Sequence, residues 1–253
     1  MSRPRIAGFR WRSHEVSRIE GLSDAVFAFA VTLLVISLEV PRTFTELYAA
    51  MHGFLPFAIS FAMLVQIWHA QYLWFRRFAL QDNVSVLLNS TLLFVVLFYV
   101  YPLKFLFTFL VNGLVGADTN VRLPDGRIEP MLHGNQGYTM MVIYDCGFVA
   151  IFVLFVLLYL YAWRQREQLE LDALERHKTI EKMGGYLCMV AVGAVSLLVV
   201  LIGGAGAAGI SGLVYFAIAP VLPSTTPGWR DAGARRTRLP AKAGRIRLRL
   251  KVA

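Results

Sequence analysis

The stretch from Arg18 to Pro41 decides the fold, and it reads RIEGLSDAVFAFAVTLLVISLEVP. It opens with charged residues and is mainly apolar from Ala25 to Ile36. As a helix, the 19 residues from Leu22 to Val40 would be about 28 Å long, because each residue adds 1.5 Å. This length matches the hydrocarbon core of a bilayer, which is roughly 30 Å thick. The stretch therefore predicts a helix that crosses a membrane.

Two neighbouring faces run along this predicted helix, because residues three and four apart share a side. The first face is apolar and consists of Leu22, Val26, Phe29, Leu33, Ile36 and Val40. The second carries smaller or more polar side chains at Ala25, Ala28, Thr32, Val35 and Glu39. Small residues allow another helix to come close inside a membrane. The apolar face is thus free to meet lipid, another helix, or copies of itself around an axis.

The whole chain has the composition of an integral membrane protein. Of its 253 residues, 57% are hydrophobic and 16% are charged, whereas about 25% are charged in an ordinary soluble domain. The length accommodates about six spans with short loops. The net charge of +9 gathers at the two termini and beside the span ends. This placement favours contact with anionic lipid over the binding of nucleic acid.

The sequence lacks the common motifs of metalloenzymes and nucleotide enzymes. It has no H-E-x-x-H, no C-x-x-C and no glycine-rich phosphate loop. We therefore expect no enzyme activity, no cofactor and no metal site. Cys146 and Cys188 fall in predicted spans and are expected to be buried free thiols.

Three regions are predicted along the chain. Residues 1–17 form a basic cytoplasmic N-terminus, 18–223 a transmembrane domain of six helices, and 224–253 a basic cytoplasmic tail that we expect to be disordered at the membrane surface. After the first span, the others are predicted near 54–74, 87–112, 138–163, 185–203 and 205–222, with a charged helical linker over 164–184. The predicted fold class is all-α, a multi-pass protein of the cell inner (plasma) membrane, with both termini inside by the positive-inside rule.

Proline and glycine interrupt two of the predicted spans. Pro102 is expected to kink the third span or to end its regular part. Gly203 and Gly204 indicate either a tight outer hairpin between the last two spans or one long broken helix. Of the other polar residues in spans, Lys104 is expected to extend to the outer interface. Asp145 could pair with a neighbour or line a vestibule, but its place near a span end favours contact with water.

Arg18 and Asp24 are the ionisable groups at the start of the first span. They are six residues apart, about 9 Å along a helix and on different faces, so they cannot pair with each other. Each then needs a partner from another segment, and Trp68 and His69 are candidates because the second span returns to the same side. Asp24 alternatively caps the start of the helix, where the helix dipole favours an anion.

These residues also carry a resemblance to a known family. The pattern Arg18-x-x-x-Leu22-Ser23-Asp24, followed by an Ala/Val/Phe run and Thr32-Leu33-Leu34, resembles the R-x-x-x-F-S-D signature of the lysosomal and endosomal potassium channel transmembrane protein 175. A second match is Trp68-His69 at the end of the next span. The similarity is to the bacterial branch, which has one six-helix repeat per chain. Leu22 stands where the family usually has Phe.

The resemblance implies a homotetramer in which four first helices surround the pore. Phe29, Leu33 and Ile36 would then form stacked apolar constrictions, and Thr32 would support helix contacts and selectivity. The family usually has Ile or Leu at the position of Phe29. The resemblance further implies that Arg18, Leu22, Ser23, Asp24, Trp68 and His69 form a structural network near the inner mouth.

The function that follows is a passive, potassium-preferring cation channel. The sequence has no T-V-G-Y-G loop to replace the hydration of an ion with carbonyl groups. An apolar constriction would instead gate by dewetting, and the lower cost of dehydrating potassium would set selectivity against sodium. The alternatives are a secondary transporter, for which broken helices would be the sign, and a membrane enzyme or assembly protein that does not conduct.

Overall fold

The computed structural model describes residues 5–6, 9–12, 15–36, 42–44, 47–48, 51, 53–115, 120–122 and 126–215. The tail 224–253 and the end of the predicted sixth span, 216–222, lie outside the described residues. The same is true of 37–41, where the first span was predicted to end.

Antiparallel helices make up most of the described chain. They are α1 (Arg18–Ile36), α2 (Phe54–Phe78), α3 (Asn83–Val115), α4 (Gln136–Arg164), α5 (Ala173–Gly203) and α6 (Ala208–Val214). Within the described residues, the first five are long and apolar enough to cross a membrane. The fold is therefore that of an all-α, multi-pass membrane protein.

The turn between the second and third helices is fixed by Asp82. Helix α2 ends where Ala79 takes a left-handed conformation and donates its backbone N–H to the Phe75 carbonyl. Asp82 then accepts hydrogen bonds from Ser85 at 2.8 Å and from the Tyr161 hydroxyl of α4 at 2.5 Å. Partial burial opposes ionisation here, but these hydrogen bonds outweigh it and lower the pKa of Asp82. One carboxylate thus joins the start of α3 to α4.

The structure bears on two expectations about helix ends. Of the two alternatives for Pro102, an end of the regular part of the third span is excluded, because α3 continues through it to Val115. The charged segment 164–184, which was predicted to be a helical linker, is helical only in its second part. Its first part, 165–170, is a turn, and from Ala173 it forms the first turns of α5. Asp172 caps that helix in a capping box with Glu175, so the charged residues extend the fifth helix instead of separating it from the fourth.

The glycine pair after α5 makes a hairpin, one of the two alternatives left open by the sequence. Gly204 has a positive φ of 62°, which glycine adopts without steric cost. A short 3₁₀ helix follows over Gly204–Ala207, and α6 then packs back on α5. Ser196 on α5 consequently lies 3.1 Å from the backbone carbonyl of Ser211 on α6.

Two short antiparallel hairpins were not predicted. One pairs β1 (Arg5–Ile6) with β2 (Phe9–Arg10), and the other pairs β3 (Asn120–Arg122) with β4 (Ile128–Pro130). The cysteines were also misjudged, since Cys146 and Cys188 are free thiols on exposed helix surfaces of the single chain.

The N-terminal segment is held against the end of the bundle where α1 starts, which we call the basic end. Phe9 is fully buried, with its ring 6.0 Å from Phe78 and the guanidinium of Arg77 above it at 4.5 Å. Arg12 donates to the carbonyl of Arg77 at 2.9 Å and to that of Leu169 at 2.9 Å. The segment thus contacts both α2 and the turn after α4.

A buried carboxylate holds this segment in place. Glu175 is 0% exposed and pairs with Arg12 at 2.8 Å and with Arg10 at 3.3 Å. It also accepts the backbone N–H of Arg10 at 2.7 Å. The hydrogen bond to Glu175 raises the pKa of Arg10. Because both partners are arginines with several donors, the oxygens of this buried anion are well satisfied.

Replacing Glu175 by alanine should therefore destabilise the protein by roughly 3–5 kcal/mol, because Arg12 would be left as a partly buried cation without its partner. Thermal unfolding of the purified protein in detergent measures this loss. The matched control is Glu167→Ala, since Glu167 is exposed and only 3.8 Å from Arg166. Equal unfolding temperatures for the two variants would contradict the proposed role of Glu175.

Candidate functional site

Helix α1 starts with a capping box, which decides how Asp24 is interpreted. The Ser17 backbone N–H donates to the Glu20 carboxylate at 2.7 Å, and the Glu20 N–H donates back to the Ser17 hydroxyl at 3.3 Å. The cap is therefore Ser17. The interpretation of Asp24 as the cap is wrong, because Asp24 lies in the second turn of the helix.

One face of α1 packs on its own chain. Its buried residues recur every three or four positions, as one side of a helix must. They are Glu20, Ser23, Phe27, Ala30 and Leu34. This face rests on α2 and α3, and it contains two polar residues near the basic end.

One of the two, Ser23, belongs to a junction between three helices. Asn89 of α3 donates to the Ser23 hydroxyl at 3.0 Å, and Gln71 of α2 donates to the Asn89 carbonyl oxygen at 2.5 Å. Ser23 passes its own hydrogen to the Ile19 carbonyl at 2.7 Å. Ser23, Asn89 and Gln71 are each at most 2% exposed. We call these three residues the polar junction, and it fixes which side of α1 faces the bundle.

Asp24 and Trp68 meet, as the sequence suggested. The indole N–H of Trp68 donates to the Asp24 carboxylate at 2.7 Å. His69 and Tyr72 lie beside this contact as stacked rings 6.2 Å apart, and both are partly buried. Arg18 is exposed and makes no hydrogen bond or ion pair with the described part of its own chain. The structure thus brings Asp24 to Trp68 but does not bring Arg18 to either.

Lys104 contacts the far end of the described part of α1. Its ammonium group donates to the Leu34 carbonyl at 3.3 Å, while its extension to the outer interface stays a prediction. Helix α3 therefore holds α1 near both ends, through Asn89 at one and Lys104 at the other.

The remaining faces of α1 are uncovered in the single chain. Leu22 is 54% exposed, Phe29 55% and Ile36 69%, while Leu33 is half-buried. Thr32 is also exposed, and its hydroxyl donates to the Ala28 carbonyl at 2.9 Å within the same helix. Phe29 and Ile36 thus lie on a largely exposed side of the helix, away from the polar junction, while Leu33 is partly covered by its own chain.

An apolar groove runs between α1 and α2 beside this uncovered side. Asp24 and Trp68 close it at the basic end. Its other lining residues are Phe27, Ala28, Val31, Phe61, Leu64 and Val65. Among the residues that the structure describes, no group of three or more His, Cys, Asp or Glu side chains is placed to hold a metal ion. The groove is therefore lined by apolar side chains, apart from the hydrogen bond between Trp68 and the Asp24 carboxylate.

Comparison with known proteins identifies this arrangement. The family model described as endosomal/lysosomal potassium channel TMEM175 matches residues 18–99, which include α1, α2 and the first half of α3. A potassium channel of Marivirga tractuosa is 40% identical over 85% of this chain and 87% of its own length. The chain belongs to the TMEM175 family. A potassium channel of Chamaesiphon minutus, by name Cha6605_3372, is 32% identical over 39% of this chain and 52% of that protein.

The fold agrees with a solved TMEM175 structure. A crystal structure of a variant of the potassium channel MtTMEM175, bound to a nanobody fusion protein, superposes with a TM-score of 0.75. It is 37% identical, and the match covers 90% of this chain and 96% of that one. The resemblance inferred from the signature at Arg18–Asp24 is therefore confirmed.

The polar junction was missed by the sequence analysis, although a signal for it exists. Gln71 and Asn89 are amides inside apolar spans, and polar groups in such places almost always face the interior of a bundle. Their hydrogen-bond partners could not be predicted from the sequence, because the three residues lie on separate helices.

Replacing Asn89 by alanine should destabilise the protein by about 1–3 kcal/mol, since it leaves the Gln71 amide buried without its acceptor. Unfolding in detergent measures the effect. Asn135→Ala is the control, because Asn135 is exposed and its side chain does not cap α4. An Asn89→Ala variant as stable as the control would mean that the polar junction does not hold α1.

Proposed function

We propose that this chain forms a passive potassium channel, a homotetramer in which four copies of α1 line the pore. Two relatives carry the name potassium channel, and the solved relative is described as one. We propose specifically that α1 forms the ion pathway.

The observation that carries the proposal is the uncovered apolar side of α1. Phe29 and Ile36 are more than half exposed, although α1 is held to α3 by polar contacts at two places. A helix that only faced lipid would need no such fixed orientation. Fixing one side of α1 through Ser23 presents the opposite side in a defined direction, as a pore-lining helix requires.

Packing around a symmetry axis fits the residues beside that apolar side. Ala25, Ala28 and Thr32 are exposed and small, so copies of α1 can approach closely. Because the Thr32 hydroxyl is already bonded within the helix, its burial against a neighbouring copy would leave no donor unpaired. Closed rotational symmetry is the usual arrangement of identical chains, and four copies follow from the family.

In this tetramer, Phe29, Leu33 and Ile36 would form three stacked apolar rings about one helical turn apart. Water leaves a narrow apolar pore easily, so these rings would close the pore by dewetting. An ion passing them loses part of its hydration shell, and potassium loses it at lower cost than the smaller sodium ion. The rings of Phe29 would also offer their faces to a passing cation.

The residues at the basic end would hold the mouth of the pore. Ser23 and Asp24 fix α1 to the bundle, and Trp68 with His69 supports Asp24 from α2. Arg18 and Leu22 are exposed on α1, so we propose that they contact a neighbouring copy.

We further propose that the basic end faces the cytoplasm of a cell whose inner (plasma) membrane holds the channel. Arginines gather there, at Arg10, Arg12, Arg76, Arg77 and Arg164. Positive residues beside spans stay on the cytoplasmic side and attract anionic lipid. Both termini would then be cytoplasmic.

Replacing Leu33 by serine should raise ion flux and weaken the preference for potassium severalfold, because a polar ring keeps the constriction wet. Potassium and sodium flux from liposomes that contain the purified protein measures both effects. Leu198→Ser on α5 is the control, since it makes the same change at an exposed position outside the proposed pore helix.

Two results would contradict this proposal. Unchanged flux in Leu33→Ser, with a verified tetramer, would show that the first helix is not the constriction. Flux that requires a second ion gradient would indicate a coupled transporter instead of a channel.

A further inference from the structure

Asp145 lies in the interior of the helical bundle, away from the proposed pore. It is nine residues into α4, about 14 Å from the start of that helix. It is 0% exposed, so the expectation of contact with water is wrong. In the part of the chain that the structure describes, no lysine, arginine or histidine forms an ion pair with it. Its contacts are instead with hydroxyl groups of neighbouring segments.

The Ser196 hydroxyl lies within hydrogen-bond distance of three acceptor oxygen atoms. The Ser196 hydroxyl of α5 lies 3.0 and 3.1 Å from the two carboxylate oxygens of Asp145 and 3.1 Å from the Ser211 carbonyl. The Tyr215 hydroxyl lies 2.5 Å from Asp145 Oδ1. The Ser211 hydroxyl is engaged elsewhere, since it donates to the Ala208 carbonyl at 2.8 Å.

If Asp145 is ionised, the group has one donor hydrogen too few for these contacts. A serine hydroxyl carries a single hydrogen and can donate to only one acceptor well. With an ionised carboxylate, Ser196 would therefore leave either Asp145 Oδ2 or the Ser211 carbonyl without a donor. An unpaired carboxylate inside a membrane protein is also costly in free energy.

One proton on Asp145 satisfies every group. Asp145 Oδ2 then donates to Ser196, Ser196 donates to the Ser211 carbonyl, and Tyr215 donates to Oδ1. We infer that Asp145 is a proton-binding site, a neutral carboxylic acid in the folded protein that joins α4 to α5 and to the segment after α6. A metal cation fits less well, because Oδ1 and the Tyr215 oxygen are at the distance of a hydrogen bond.

Among the described residues, the titratable groups that face this site are phenols. Tyr144 precedes Asp145 on α4, Tyr99 of α3 donates to the Tyr144 carbonyl at 3.1 Å, and Tyr215 follows α6. Helix α5 contributes Ser196, which does not titrate. Tyrosines are neutral near pH 7, so none of these groups compensates a negative charge on Asp145.

This site has a consequence for stability. In the unfolded chain, Asp145 is ionised near neutral pH, whereas the folded protein keeps its proton. The folded state then binds more protons between the pKa of Asp145 in the unfolded chain and its pKa in the folded protein. Within this window stability falls as pH rises, and the ratio of folded to unfolded protein drops by at most about tenfold per pH unit on account of this group. Deprotonation would release the hairpin after α5 from α4.

Infrared spectroscopy of the purified full-length protein tests the inference directly. A protonated carboxylic acid has a carbonyl stretch that a carboxylate lacks. We expect this band in the wild type at neutral pH, its loss in Asp145→Asn, and its shift in Ser196→Ala, which removes one hydrogen bond from the acid. Asp82→Asn is the control and should keep the band, because Asp82 is hydrogen bonded as a carboxylate.

Thermal unfolding across pH gives an independent result. The stability of the wild type relative to Asp145→Asn should fall with rising pH, because the asparagine amide keeps the donor to Ser196 without a titratable proton.

A missing carboxylic band, a band that remains in Asp145→Asn, or parallel pH curves would each overturn the inference. Stability that depends on sodium or potassium concentration would show a cation in place of the proton. Should Asp145→Asn not fold, an unshifted band in Ser196→Ala would overturn it as well. None of these measurements uses ion flux, so they stand apart from the channel proposal.

Discussion

The hydrogen bond from Asn89 to Ser23 is the contact on which the arrangement of α1 depends. A helix as apolar as α1 has no intrinsic preference for the side it turns toward its neighbours, because lipid and protein interiors are similarly apolar. A buried amide that must reach a hydroxyl removes this freedom. Lys104 adds a second fixed point near the other end of the helix. The apolar side with Phe29 and Ile36 is exposed as a result of these two contacts.

The same reasoning connects the other buried polar groups. Glu175 lies at the basic end, where two arginines from the N-terminal segment neutralise it and bind that segment to the bundle. Asp145 lies deep between helices that supply only hydroxyls, and there a proton takes the place of a cationic partner. A carboxylate inside this fold is thus either paired or protonated, depending on which groups the neighbouring helices bring to it.

Much of the fold was predictable because it depends on local sequence. The five described spanning helices lie close to their predicted positions, since a long apolar run is a property of consecutive residues. The family was predictable for the same reason, because its signature occupies seven consecutive positions from Arg18 to Asp24. The proposed ring residues on α1 followed from helical periodicity and that resemblance, and their role stays a prediction. The N-terminal hairpin was not predicted, because β1 and β2 have only two residues each and carry no clear alternation.

The sequence by itself determined that this is a multi-pass, all-α membrane protein of the TMEM175 family, with an apolar first helix and a strongly basic charge. Tertiary structure decided which partners the polar residues find. Trp68 reaches Asp24 across 44 positions, and Arg12 reaches Glu175 across 163. Asp145 was expected to be wet and is buried instead, because α6 turns back over it after Gly204. Such pairings depend on how the helices pack against one another, and periodicity within a single helix carries no information about that.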